Sequence, residues 1–395
     1  MKRISTILLA TTLTLPSFAQ LNGNGFYRIQ NASSGRYATI VDNKAPKNIS
    51  NLISKGGNNI QIEAIHTIEG FENIVSDPGS ILYIEGNNNK YIIKGQGMDT
   101  YSLTHLYLGV HPSRTLEGAY WASGIYQGVE VYLKEGNNKY ESFGYYNFAT
   151  AARNDRQLMI CNWYLRPITE ADGHYFGLKP EVEAEGKYYT TLCASFAYQL
   201  SSGMKAYYVK QCNGQIAELT EIAGNIIPEA TPVIIECSSK NSSDNKLTPL
   251  STFSPLSIQN QLKGVYFCNV VKWLMDGEEE HDYLNWNTTN YDSTKMRVLG
   301  NVNGKLGFVT ADNLKYLPAN KAYLPVSTSG SVSAAANIEL VDAETYAATS
   351  ISSITSEKTA NEKGIYSLTG NKVNSTENLP AGVYVIDGKK TIIRK

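Results

Sequence analysis

The sequence predicts an all-β protein, and three observations carry that prediction. Short runs rich in Tyr, Val, Ile and Thr recur along the chain, such as Lys187-Tyr-Tyr-Thr-Thr-Leu192, Lys205-Ala-Tyr-Tyr-Val209 and Thr231-Pro-Val-Ile-Ile235. β-branched and aromatic residues fit a pleated, half-buried surface, and Gly, Asn, Ser and Asp separate the runs as turns do. No stretch holds a helical apolar period for more than two turns. A tyrosine-led hairpin pattern also returns three times in the first 140 residues.

The pattern reads Phe26-Tyr-Arg-Ile-Gln-Asn-Ala-Ser-Ser-Gly-Arg-Tyr37, then Leu82-Tyr-Ile-Glu-Gly-Asn-Asn-Asn-Lys-Tyr91, then Val131-Tyr-Leu-Lys-Glu-Gly-Asn-Asn-Lys-Tyr140. An apolar-Tyr strand runs into a polar turn, and a basic residue followed by Tyr starts the return strand. The leading tyrosines, Tyr27, Tyr83 and Tyr132, lie 56 and 49 residues apart. One hairpin cannot bury its own apolar face, so three of them predict a threefold β barrel.

Composition bounds the rest. At roughly 100–200 residues per domain, 395 residues predict two or three domains. The 35 basic and 36 acidic residues give a net charge of −1, which argues against a nucleic-acid partner. Hydrophobic residues make up 42% of the chain, enough for real cores. No apolar run reaches 18 residues, so no membrane-spanning helix is expected.

The N-terminus reads as an address over residues 1–19. Lys2 and Arg3 precede a short apolar stretch from Ile7 to Leu15, and Pro16 and Ser17-Phe-Ala19 follow. This is the layout of a secretory signal peptide cut between Ala19 and Gln20. Export to the cell surface or medium is expected. Export permits disulfides, yet the five cysteines are odd in number and form no CxxC. Most read as small buried core residues, with one bridge among Cys193, Cys212 and Cys237 kept as an alternative.

Three resemblances refine the architecture. Gly25 to Tyr37 resembles the first strand pair of ricin-type β-trefoil domains, and Asn162-Trp-Tyr-Leu-Arg-Pro-Ile168 resembles their final strand. The resemblance implies a trefoil-like domain over 20–170, although the Gln-x-Trp signature of sugar-binding trefoils is absent. Tyr188 to Cys193, Met204 to Val209, Ile227 to Ile235 and Val298 to Phe308 are similar to segments of secreted proteins of the Bacteroidota. That similarity implies a β-sandwich-like region over 171–342. An Ala-, Ser- and Thr-rich linker follows over 343–361. Gly364-Ile-Tyr-Ser-Leu-Thr-Gly and Leu379-Pro-Ala-Gly-Val-Tyr-Val-Ile, with a basic end, resemble the C-terminal sorting domain of the type IX secretion system. This last resemblance makes 362–395 a small sorting domain and the secretion machinery a partner.

Catalytic signatures are sparse. Asp276-Gly-Glu-Glu-Glu-His-Asp282 lacks the ligand spacing of a calcium loop and reads as a solvated turn. There is no Gly-x-Ser-x-Gly elbow, no HExxH and no catalytic-Cys signature. The expectation is therefore a non-enzymatic binding protein with no cofactor and no metal, taking a glycan or a surface protein as partner. An exported hydrolase assembled from distant residues is the rival, and a protease inhibitor or adhesin the third reading. Sugar rings stack on aromatic faces, so Tyr120, Trp121 and Trp286 are the candidate ligand-binding residues. Trp163 and Trp273 read as core.

Overall fold

A computed structural model describes residues 24–40, 53–54, 59–87, 90–94, 107–109, 119–126, 129–135, 142–147, 161–169, 174–265, 271–273, 281–283, 289–326, 335–349, 364–367, 371–373, 379–387 and 389–393. The described chain is predominantly β, in several sheets. The first sheet contains β1 (Gly25–Asn31), β2 (Tyr37–Ile40), β3 (Ile53–Ser54), β4 (Asn59–Ile68), β5 (Leu82–Asn87), β6 (Lys90–Lys94), β7 (Tyr107–Gly109), β8 (Trp121–Tyr126), β9 (Val129–Glu135), β10 (Ser142–Asn147) and β11 (Trp163–Pro167). Neighbours run β10-β9-β8-β7-β6-β5-β1-β2-β4-β3, and β10 also pairs with β4. That last pairing joins the path back on itself into a closed ring, which removes the edges an open sheet exposes.

Each tyrosine-led segment is a hairpin. Gln30 faces Tyr37 across the first, Gly86 faces Tyr91 across the second, and Glu135 faces Phe143 across the third. The first turn is built by its own sequence. Asn31 Oδ1 accepts from Ser33 N and Ser34 N at 2.9 and 3.2 Å, and Gly35 takes φ +75°, where a Cβ would be strained.

Strand alternation then divides the faces of β1 and β11. Tyr27, Ile29 and Asn31 share one face with Trp163, and all four are buried. Phe26, Arg28 and Gln30 take the other face, with Tyr164 opposite Gln30 and Arg166 opposite Arg28. This outer face is where the first sheet meets the rest of the molecule.

Arg28 is fully buried there. Its Nε donates to Ser80 Oγ at 3.0 Å, and Nη1 donates to the carbonyls of His174 and Tyr175 at 3.2 and 2.8 Å. Nη2 donates to the carbonyls of Ile74 and Val75 at 3.4 and 3.3 Å. The first-region carbonyls come from a short helix, α1 (Phe71–Ile74), and its following turn. Phe71 lies under the guanidinium, 5.4 Å from its ring centroid. One core runs across the junction: Ile81 and Phe26 pack with Phe176, Leu178, Phe196 and Tyr198. The boundary expected at 170/171 is therefore no break in packing.

The second region holds β12 (Phe176–Gly177), β13 (Val182–Ala184), β14 (Lys187–Leu192), β15 (Ala197–Leu200), β16 (Lys205–Cys212), β17 (Ile216–Glu221), β18 (Ile226–Ile227), β19 (Val233–Cys237), β20 (Lys246–Leu250) and β21 (Lys263–Gly264). It continues with the hairpin β22 (Val271–Trp273) and β23 (His281–Tyr283), then β24 (Met296–Val302), β25 (Lys305–Val309), β26 (Ala322–Pro325) and β27 (Asn337–Val341). Four strands form one sheet, β12-β20-β15-β18, and ten form another, β13-β14-β19-β16-β17-β27-β25-β24-β26-β21.

The run Val233-Ile-Ile-Glu-Cys237 shows why two cores form. Val233, Ile235 and Cys237 join the core that faces the four-stranded sheet. Ile234, between them, joins a second core with Val209, Phe308, Leu324 and Ile338. The ten-stranded sheet curls around this second core. Cys193 N donates to Asn320 O at 2.9 Å and Ala322 N to Thr191 Oγ1 at 3.1 Å, which brings β26 against β14. The larger sheet is thus a curled wall between two cores rather than one flat layer.

Cys212 and Cys237 carry free thiols, so no bridge joins Cys193, Cys212 and Cys237. Burial raises both thiols, Cys237 to about 12, which keeps them unreactive. Cys268 lies outside the described residues.

A tyrosine pair on the same sheet predicts a pH response. Glu236 accepts from Tyr207 OH at 3.0 Å and Tyr189 OH at 3.5 Å, and pairs with Lys187 at 3.0 Å. Burial, then the Glu236 charge, pushes Tyr189 up to about 12, and burial raises Tyr207 as well. Free phenols titrate near about 10. The folded state therefore holds these protons longer than the unfolded chain. Their contribution is present below about pH 10 and is lost as pH rises toward 12. Urea midpoints at pH 8 and pH 11 are expected to fall between the two, and to fall less in Tyr207→Phe. Equal falls in both proteins would show that these phenols do not carry the effect.

The stretch expected as a linker at 343–361 begins with a helix over 343–349. Beyond it lie β28 (Ile365–Ser367), β29 (Lys372–Val373), β30 (Gly382–Ile386) and β31 (Lys389–Ile393), an antiparallel sheet in the order β29-β28-β30-β31. Its strand residues are half-buried or exposed, and Ile392 is 57% exposed.

Candidate functional site

The structure places the sequence-derived candidates differently from expectation. Tyr120 is 9% exposed and Trp121 only 2%. Tyr120 is tied to β11 through a backbone bridge, Tyr120 N donating to Trp163 O at 2.8 Å and Trp163 N to Tyr120 O at 2.9 Å. Tyr91 meets the Tyr120 ring edge-on at 6.1 Å. A stacking platform needs a solvent-facing ring, and neither residue offers one. Trp121 is instead a buried residue at the start of β8. Trp286 and most of the acidic turn lie outside the described residues. Trp163 is fully buried, as expected.

An aromatic platform does exist one residue along. Tyr164 and Arg166 alternate with buried Trp163, so both point to the outer face, beside Gln30. All three are half-buried. The Arg166 guanidinium lies over the Tyr164 ring at 4.7 Å from its centroid. Its Nε donates to Gln30 Oε1 at 2.8 Å. Gln30 Nε2 in turn donates to Gly35 O at 2.8 Å, fixing the amide's orientation. The group is thus anchored on two paired strands and a turn, which limits the rotamer freedom a ligand must freeze.

The setting is cationic. His174 sits at the junction, where its carbonyl receives Arg28. Burial, then the charges of Arg166 and Arg28, lowers the His174 imidazole below its usual range. Its Nδ1 is buried without a hydrogen bond. The nearby acids are engaged elsewhere. Asp77 is half-buried and accepts from Thr39 Oγ1 and Gly79 N, and Glu69 pairs with Arg36 at 3.8 Å.

The nearest approach to a catalytic constellation lies in the second region. Lys321 Nζ donates to Thr190 Oγ1 at 2.9 Å and pairs with Glu181 at 2.9 Å. Thr190 Oγ1 donates to Glu181 Oε2 at 3.2 Å. A nucleophile must meet its substrate, and Thr190 has no exposed surface. This triad reads as a strand-to-strand tie. Among the described residues no group of three His, Cys, Asp or Glu could hold a metal, and no helix is long and apolar enough to cross a membrane.

Gln30 and Arg166 were not among the residues singled out from the sequence. Alternation in Trp163-Tyr-Leu-Arg-Pro167 was the available signal for Arg166, since a buried Trp163 turns Tyr164 and Arg166 outward together. Comparison with family models, with curated proteins and with solved structures returned no match.

Proposed function

We propose that this chain is an exported, non-catalytic binding protein whose ligand is a glycan held at Tyr164, Gln30 and Arg166. The observation that carries the reading is this half-buried aromatic, with an amide and a guanidinium locked beside it on paired strands. Binding sites commonly join an apolar platform to a few fixed polar groups. The Arg166 guanidinium lies over the Tyr164 ring, and in this reading the solvent-facing part of the ring meets a sugar's C–H face. Three tyrosine-led hairpins, and a final strand β11 paired to β1, support a trefoil-like reading of residues 20–170. Two sheets around one core support a sandwich-like element in the second region. The small antiparallel sheet after residue 362 supports the sorting-domain reading, with the secretion machinery as partner and the cell surface or medium as destination.

A glycan array followed by calorimetric titration of the mature chain, residues 20–395, tests the proposal. Saturable binding is expected, and Tyr164→Ala should weaken it at least about tenfold, or about 1.4 kcal/mol. The thermal midpoint should hardly move, because the side chain is only half-buried. Silence of the wild-type chain across host and microbial glycans would overturn the glycan reading and favour a protein partner.

A further inference from the structure

We infer that this site selects glycans bearing an acidic group, a carboxylate or a sulfate, and that Arg166 is the residue that reads it. The inference rests on the glycan reading above and narrows it to a ligand class. Three observations on the outer face of β1 and β11 carry it.

The first is orientation. Arg166 Nε is committed to Gln30 Oε1 at 2.8 Å, and Gln30 is itself committed to Gly35 O at 2.8 Å. The guanidinium carbon lies over the Tyr164 ring, 4.7 Å from its centroid. With Nε held, the edge formed by the two Nη groups is the part left to a ligand. That edge is a planar fork matched to two oxygens of one carboxylate or sulfate.

The second is capacity. Among the described residues, neither Nη group of Arg166 has a hydrogen-bond or ion-pair partner. A neutral sugar hydroxyl would use one donor singly. An anionic oxygen pair would use both and gain charge assistance, which makes such hydrogen bonds about twice as strong as neutral ones.

The third is the surrounding field. Arg28 lies beneath the same face, opposite Arg166 across the strand pair. Arg166 and Arg28 both disfavour protonation of His174, the effect of a local positive potential. Asp77 is sequestered under Arg28 and Glu69 is paired with Arg36, so neither carboxylate competes at the Arg166 fork. A positive, partly desolvated edge beside an aromatic ring favours an anionic sugar over its neutral counterpart.

The test uses the mature chain, residues 20–395, and a matched pair of probes: an N-acetyllactosamine hexasaccharide and the same hexasaccharide bearing 6-sulfate. Titration calorimetry in low salt is expected to show at least about tenfold tighter binding of the sulfated probe. Arg166→Gln should cut that preference below about threefold, as the ratio of the variant's own affinities for the two probes, whatever it does to the neutral probe, whose hold on the site also involves Arg166. Arg166→Lys keeps the charge but loses the fork, and should retain part of the preference. Raising the salt to about 0.5 M should shrink the wild-type preference, because exposed charges are screened. Thermal melts confirm that each variant folds. Equal wild-type affinity for both probes would overturn the inference and leave the glycan reading standing. An undiminished preference in Arg166→Gln would overturn the role of Arg166. Binding of neither probe, after a silent array, would remove both.

Discussion

Arg28→Ala is expected to cost about 3–5 kcal/mol of unfolding free energy, the range for uncoupling a buried charge from its partners. The wild-type side chain is fully buried and satisfies five acceptors drawn from three segments. Truncation leaves the carbonyls of Ile74, Val75, His174 and Tyr175 without these donors, and opens a cavity beside Phe71. It also removes the cation acting on Asp77. Burial holds the Asp77 carboxyl above its ordinary range, and the Arg28 charge acts the other way. Losing that charge should raise it further. A folded-state value above the unfolded one means that the fold holds this proton more tightly. The stability involved is then fullest below the unfolded carboxylate value, about 3.9, and declines as pH rises above it. The variant should accordingly be penalised more at pH 8 than at pH 5. Urea titrations at both values measure this, with an unchanged slope marking a change in stability rather than in the denatured state. A loss below about 1 kcal/mol would show that water replaces the guanidinium and that the clamp is dispensable.

The sequence exposed some layers of this molecule and concealed others, for identifiable reasons. Strand content was legible because β-branched and aromatic runs alternate at period two, and Val233-Ile-Ile-Glu-Cys237 behaves as such a run should. The three hairpins were legible because their turns carry local instructions: Asn31 caps its own turn, and Gly35 takes a conformation others resist. Contacts between distant segments were not legible. Nothing local to Arg28 indicates that it will be buried against carbonyls 146 and 147 residues away. Nor does anything local to Trp121 indicate that it will be buried. The Arg166 site was half-legible. Its strand was recognised, but knowing which face of β11 is solvated requires knowing that β1 and the second region cover only part of it.

Phe196→Ala is expected to destabilise by about 3–5 kcal/mol and to do so across the whole of residues 24–341. Phe196 is 1% exposed and touches both regions. Its ring lies 5.7 Å from that of Phe26 and 5.9 Å from that of Phe176, and Phe26 meets Tyr83 edge-on at 5.1 Å. A cavity here weakens the first sheet through Phe26 and the second core through Phe176, so both should melt together. Calorimetry should show one transition covering both regions, displaced downward as a unit in the variant. Two separated transitions in the wild type would mean that the regions unfold independently and that the shared core is only a contact. A double-mutant cycle with Phe26→Ala sharpens the point. Aromatic pairs of this geometry couple by about 0.5–1.5 kcal/mol beyond their burial. A coupling in that range would place the cooperative link at the ring contact itself. Near-zero coupling would shift it to Arg28, whose donors bind the same two regions together a few residues along β1. In either case the site at Tyr164, Gln30 and Arg166 stands on the strand pair that the junction braces. Loosening the junction should therefore weaken ligand binding at the site without touching any residue that contacts the ligand.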